Sequence, residues 1–205
     1  MLKGKFIAFE GIDGCGKTSH IDKLANKLAL LGHKVAIMSN IDEDGITGKA
    51  IREILKDKDS CISDMRLATL FLSELHYVVK KKNGIEDLLK QGYTVLCSRY
   101  HYSTYAYAGS TKEVNSVIDN ATYNLVKPDI TFYLDVDITT AIRRLNDNRE
   151  EKDYYENSSK LLIIKGRYSN LLEAKTIDNV IRINNNSDFE KINNTLLELI
   201  KKLGE

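Results

Sequence analysis

Proline is nearly absent from this chain, cysteine is scarce, neither charge sign dominates, and no apolar run is long. Each shortage excludes something. Pro128 is the single proline, and with no low-complexity tract or internal repeat beside it, nothing in the 205 residues reads as a linker between domains. The three cysteines, Cys15, Cys61 and Cys97, are odd in number and far apart, without CxxC or Cys/His spacing. That pattern argues against a disulfide framework or a zinc site and for reduced thiols. Thirty basic residues against 29 acidic give a formal net charge of +1, without the basic excess of a general nucleic-acid or membrane-surface binder. No apolar stretch approaches the ~20 residues of a membrane span. The stretch ending at Glu10 is too short for a secretory signal and lacks a small-residue cleavage site. The expectation is a cytoplasmic protein with no nucleic-acid or membrane partner.

The hydrophobic share of 42% is enough for one sizeable core. Five short β-branched and aromatic runs read as buried parallel strands: Phe6 to Phe9, Val35 to Met38, Tyr93 to Cys97, Ile130 to Val136, and Val180 to Ile183. Helical patterns separate them. Ile21, Leu24, Leu28 and Leu31 form a stripe that Gly32 stops; a longer helical stretch covers about 62–79; Leu88 and Leu89 precede Gly92. Ile192, Leu196, Leu199, Ile200 and Leu203 make a final amphipathic helix. Strand alternating with helix predicts an α/β fold, a doubly wound five-stranded parallel sheet with helices on both faces, in a single domain over 1–205.

Directly after the first strand, Gly11-Ile12-Asp13-Gly14-Cys15-Gly16-Lys17-Thr18 fits GxxxxGK[ST]. Glycines let successive backbone N–H groups face an anion, and the helix opening near Lys17 adds the positive end of its dipole. Lys17 is placed to neutralise β- and γ-phosphate charge and the Thr18 hydroxyl to hold Mg²⁺, with Gly11 to Ser19 as the ATP-binding segment. A chance match in a chain this long occurs on the order of once in a hundred, and strand-before, helix-after context lowers that further. Asp42-Glu43-Asp44-Gly45 fits the DxxG of GTPases, but no NKxD guanine-reading segment accompanies it.

Four segments together resemble thymidylate kinases, P-loop nucleoside monophosphate kinases, over nearly the whole chain. They are Phe9-Glu10-Gly11-Ile12-Asp13-Gly14 with its loop; Ser98-Arg99-Tyr100-His101-Tyr102-Ser103 followed by Ala106-Tyr107; Lys127-Pro128-Asp129 leading to Leu134-Asp135-Val136-Asp137; and Ala141, Arg144, Arg149, Tyr154 and Glu156 where the family has its arginine-bearing lid, whose mobile part is expected at about 145–157. The resemblance implies transfer of the ATP γ-phosphoryl group to a deoxynucleoside monophosphate, dTMP foremost, with Mg²⁺, by a homodimer. It implies catalytic roles for Lys17, Arg99, Arg144 and Arg149, and acceptor binding by Asp13, Phe71, Arg99, Ser103 and Tyr107. Glycine at position 14 fits family members that carry their extra arginines in the lid.

The chain also departs from the family. Ser98 stands where an aspartate usually helps organise the Mg²⁺ shell; Asn40 occupies an arginine-containing turn; and Leu75 takes the place of an arginine four residues past the aromatic Phe71. Arg52 and Lys49 are the candidates to compensate. Two alternatives follow: a deoxynucleoside or other small-molecule kinase on the same scaffold, or a nucleotide-binding regulatory protein with weakened catalysis.

Overall fold

The computed structural model describes residues 4–57, 62–148, 158–177 and 179–203. Their chain order is β1 (Phe6–Glu10), α1 (Lys17–Leu30), β2 (Val35–Ser39), α2 (Ile46–Lys56), α3 (Asp64–Lys80), α4 (Ile85–Lys90), β3 (Thr94–Ser98), α5 (His101–Ala108), α6 (Lys112–Thr122), β4 (Ile130–Asp135), α7 (Ile138–Asn148), α8 (Ser158–Glu173), β5 (Val180–Asn184) and α9 (Phe189–Lys202). The strands form one parallel sheet in the order β2-β3-β1-β4-β5. All five strand expectations hold to within two residues at each end.

Strand side chains alternate between the two faces of the sheet. Ile7 and Phe9 of β1, with Leu96, Phe132 and Leu134, pack against α1 (Ile21, Leu24, Leu28) and α9 (Ile192, Leu196, Ile200). Phe6 and Ala8, registered beside Val95 and Cys97, meet Leu75, Val78 and Val79 of α3 and Ile85 and Leu88 of α4. Both faces are therefore covered, which is why β1 and β3 read as continuous apolar runs rather than alternating ones. Leu31 is a correction: it lies past the end of α1, 54% exposed, outside the packed stripe. Asp129 of the Lys-Pro-Asp segment accepts the Phe6 N–H at 2.7 Å and so secures the start of the central strand. Among the described residues no helix is long and apolar enough to cross a membrane.

The central strands β1 and β3 end side by side, Phe9 beside Ser98. In open parallel sheets ligands gather at the carboxyl ends of the strands, and here both the glycine loop and Arg99 leave the sheet at that edge.

Candidate active site

A cleft of about 920 Å³ opens there, lined by residues from the glycine loop, the end of β2, α2, α3, the β3–α5 segment, α7 and the turn after β5. Of the candidates named from sequence, Asp13, Gly14, Gly16, Lys17, Thr18, Ser19, Asn40, Arg52, Phe71, Ser98, Arg99, Ser103, Tyr107 and Arg144 all line it. Chain positions 13 to 144 thus meet in one space.

The loop owes its path to backbone shapes that side chains resist. Gly14 has φ +75°, and a Cβ there would come within 2.4 Å of the Ala141 carbonyl oxygen on α7. Only glycine lets α7 sit this close. One turn further along α7, Arg144 reaches the loop: its Nη1 lies 3.8 Å from where a Gly16 Cβ would stand, and its Nη2 donates to the Asn185 carbonyl at 3.0 Å. A larger residue at 14 would press on the Ala141 backbone and the Leu145 side chain of the helix that carries Arg144. Arg149 and most of the expected lid fall at 149–157, outside the described residues.

The Lys17 ammonium is buried within its own loop, donating to the carbonyls of Gly11 (3.1 Å) and Ile12 (3.0 Å) and approaching the Cys15 sulfur (3.4 Å). Burial pushes its pKa down, and the Arg99 charge adds to that, against the pull of Cys15 and Asp13. Within the segment expected to bind ATP, side chains and backbone part company. Ile12 and Cys15 are fully buried in the core, and neither they nor Gly11 line the cleft, so their contribution is confined to the backbone.

Arg99 is the hub. Its backbone is left-handed, φ +66°, unusual for a residue with a side chain. Nη1 donates to the Gly11 carbonyl (3.0 Å) and the Ser103 hydroxyl (3.2 Å), and Nη2 to Asp13 Oδ1 (2.5 Å) and the Tyr107 hydroxyl (2.8 Å). Tyr107 donates to the other Asp13 oxygen at 2.6 Å, and its ring lies under the guanidinium with 4.7 Å to the ring centre. Burial works to raise the pKa of Asp13, but Arg99, then Lys17, outweigh it and hold the carboxyl at about 2. Burial also drives the Tyr107 phenol well above its ordinary value, so it stays a neutral donor.

From the end of β2 towards α2 and α3 the cleft gains apolar lining, with Ile37, Met38, Ile41, Leu55 and Phe71. Arg52 faces this end and is ion-paired with Glu43, whereas Lys49 is exposed outside it. The Leu75 expectation is corrected: its side chain is buried beneath the sheet with Phe6 and Val79, so position 75 is core and not a gap in the cleft. Ser103 lines the cleft, but its hydroxyl is already engaged by Glu10, Arg99 and Tyr168.

Several residues escaped the sequence reading. Asn185, after β5, donates to the Cys15 carbonyl (2.5 Å) and accepts from His20 Nε2 (3.0 Å), while the His20 ring stacks on Phe189 at 4.4 Å. Burial pushes the His20 pKa down, against the hydrogen bond to Asn185. Glu10 and Tyr168 are both fully buried beside Ser103. Of these only Glu10 left a trace, as a carboxylate closing an otherwise apolar strand.

A family profile described as thymidylate kinase matches residues 9–196. The thymidylate kinase of Thermosipho africanus is 34% identical over 204 residues, covering 96% of this chain and 98% of that protein. The probable thymidylate kinase of Methanocaldococcus jannaschii is 30% identical and covers 99% of each chain. The solved thymidylate kinase from Candida albicans superposes with a TM-score of 0.80 at 24% identity, over 99% of this chain and 94% of the other, a likeness of fold.

Proposed function

The chain belongs to the thymidylate kinase family, and on that premise we propose that it transfers the γ-phosphoryl group of ATP to dTMP, giving dTDP and ADP. The observation that carries this reading is the Arg99 cluster, which stands in the same cleft as the phosphate loop and touches that loop through Asp13 and Gly11.

Phosphoryl transfer between two anions is mostly positioning and neutralisation of charge. In this reading the loop amides and the α1 N-terminus cradle the donor phosphates, and Lys17 leaves its carbonyl partners to meet the β- and γ-oxygens. Arg144 reaches the same phosphates from α7, and the resemblance gives Arg149 the same duty. The Arg99 fork, aimed by Asp13 and Tyr107, spans the acceptor phosphate and the transferring group. Phe71 offers a face for the pyrimidine, Tyr107 packs on the deoxyribose, and Arg52 supplies positive charge at the acceptor end.

A magnesium ion fits this arrangement. Among the described residues no group of three or more His, Cys, Asp or Glu forms an ion cage. The cleft instead presents the Thr18 and Ser98 hydroxyls, and Mg²⁺ in such sites takes one or two protein oxygens and fills its octahedron with phosphate and water. Bound with ATP, it would neutralise charge on the β- and γ-phosphates.

Two free, buried thiols, Cys15 and Cys97, suit a cytoplasmic setting, and exposed Met65 and Tyr77 on α3 offer contacts for a homodimer. Asn40 in the cleft, where the resemblance expects positive charge, favours a second reading in which the acceptor is an uncharged deoxynucleoside. ATP with a panel of nucleosides and monophosphates separates the two. dTMP is expected to turn over fastest; phosphorylation of thymidine but not dTMP overturns the assignment.

A further inference from the structure

Glu10 is a completely buried carboxylate that the proposed chemistry does not use. One oxygen, Oε1, accepts the N–H groups of Tyr100 (2.8 Å) and Ser103 (3.3 Å), at the opening of α5. The Ser103 N–H also reaches the Tyr100 carbonyl at 3.1 Å, while Glu10 takes up the Tyr100 N–H just before α5, so this strand carboxylate caps the helix opening. The other oxygen, Oε2, accepts the hydroxyls of Ser103 (2.6 Å) and Tyr168 (2.7 Å), which themselves lie 2.8 Å apart. Ser103 Oγ then accepts from Arg99 Nη1. Burial pushes the Glu10 pKa up; the Ser103 and Tyr168 hydroxyls, then the Arg99 charge, oppose this without cancelling it.

Arg99 needs such support. A non-glycine residue in the left-handed region persists only where its surroundings over-determine it. Its backbone N–H is held by the Phe9 carbonyl at 2.9 Å, one residue before Glu10. α8, which carries Tyr168, is fastened alongside by Arg167 Nη1 donating to the Ala106 carbonyl of α5 at 3.2 Å. Neither Glu10 nor Tyr168 lines the cleft, so neither reaches a substrate there.

The geometry points to Glu10 and Tyr168 as positioning residues: acting through Ser103, they fix the Arg99 guanidinium for phosphoryl transfer. This rests on the phosphoryl-transfer reading above. A merely structural network would glue α5 and α8 to β1 and leave turnover intact.

A double-mutant cycle on the full-length protein, with ATP and dTMP, separates the two. Tyr168→Phe removes only the hydroxyl and keeps the ring against Tyr133, 5.2 Å between centres. It is expected to lower kcat about tenfold with the KM for ATP unchanged. In an Arg99→Ala background the same change is expected to cost less than about twofold. Glu10→Gln, which keeps the shape, runs through the same cycle in case Tyr168→Phe folds poorly. Equal losses in both backgrounds, or a lowered melting temperature with wild-type kcat, overturn the inference. The Arg99 Nε–H resonance of ¹⁵N-arginine-labelled protein reads positioning without turnover and is expected to shift or broaden in Tyr168→Phe. An unchanged resonance sinks the inference even in an active enzyme. A resonance altered in Tyr168→Phe, when the wild type phosphorylates no monophosphate, sinks the phosphoryl-transfer reading and leaves the positioning standing.

Discussion

The two halves of the cleft are built in opposite ways. In the proposed reading the donor half rests mainly on a short contiguous stretch, Gly11 to Ser19, through backbone amides, one ammonium and the first turn of a helix, with Arg144 added from α7. The acceptor half is gathered from β2, α2, α3 and α5, and its charges arrive already paired, Arg99 with Asp13 and Arg52 with Glu43. The donor half needs a backbone shape; the acceptor half needs a tertiary fold. Each should therefore fail in its own way when altered.

The largest expected break is in the donor half. Lys17→Ala removes a charge aimed at oxygens whose negative charge grows during transfer, and is expected to cost roughly 10²-fold or more in kcat. Steady-state kinetics check this, and isothermal titration with dTMP alone should give an unchanged affinity. An equal loss of dTMP affinity would show the halves to be one unit. Gly14→Ala is the next test. It forces a side chain into φ +75° and against the Ala141 carbonyl, so the KM for ATP is expected to rise about tenfold while that for dTMP holds.

The contrast also explains what could be read in advance. A motif that works through its backbone must be contiguous, so Gly11 to Thr18 announced itself. The strands were equally plain because β1 and β3 are covered on both faces. α5 left no helical stripe, since Tyr102, Ser103, Thr104, Ala106, Tyr107 and Ala108 are all buried and the helix has almost no polar side. α8 went unread for another reason: Leu162 and Ile163 are exposed next to buried Leu161 and Ile164, which blurs the periodicity. Leu75 was misplaced because spacing from Phe71 says nothing about how far α3 is rotated about its axis. The partnership of Glu10 with Tyr168 joins positions 158 residues apart, and no local pattern encodes it.

The smallest expected effect concerns the seam between the halves, where Asp13 of the loop pairs with Arg99. Asp13 has its pKa held at about 2, below its ordinary 3.8, because Arg99 and Lys17 outweigh burial. A carboxylate depressed by folding stabilises the fold above its unfolded pKa and loses that contribution as the pH falls through the folded one. Urea midpoints measured from about pH 5 down to about pH 2 should therefore fall less steeply for Asp13→Asn than for the wild type. Identical slopes would mean that the Arg99 cluster contributes nothing to acid stability.

The amide of Asn185 grips the back of a loop 170 residues earlier in the chain. During synthesis the glycine motif emerges well ahead of its brace, and this clasp can close only after β5 and Asn185 have also left the ribosome. A nascent chain ending before β5 carries every residue of the nucleotide signature and lacks the piece that braces its curve. Triphosphate binding should therefore mature late, as an attribute of the finished fold and not of the segment that advertises it.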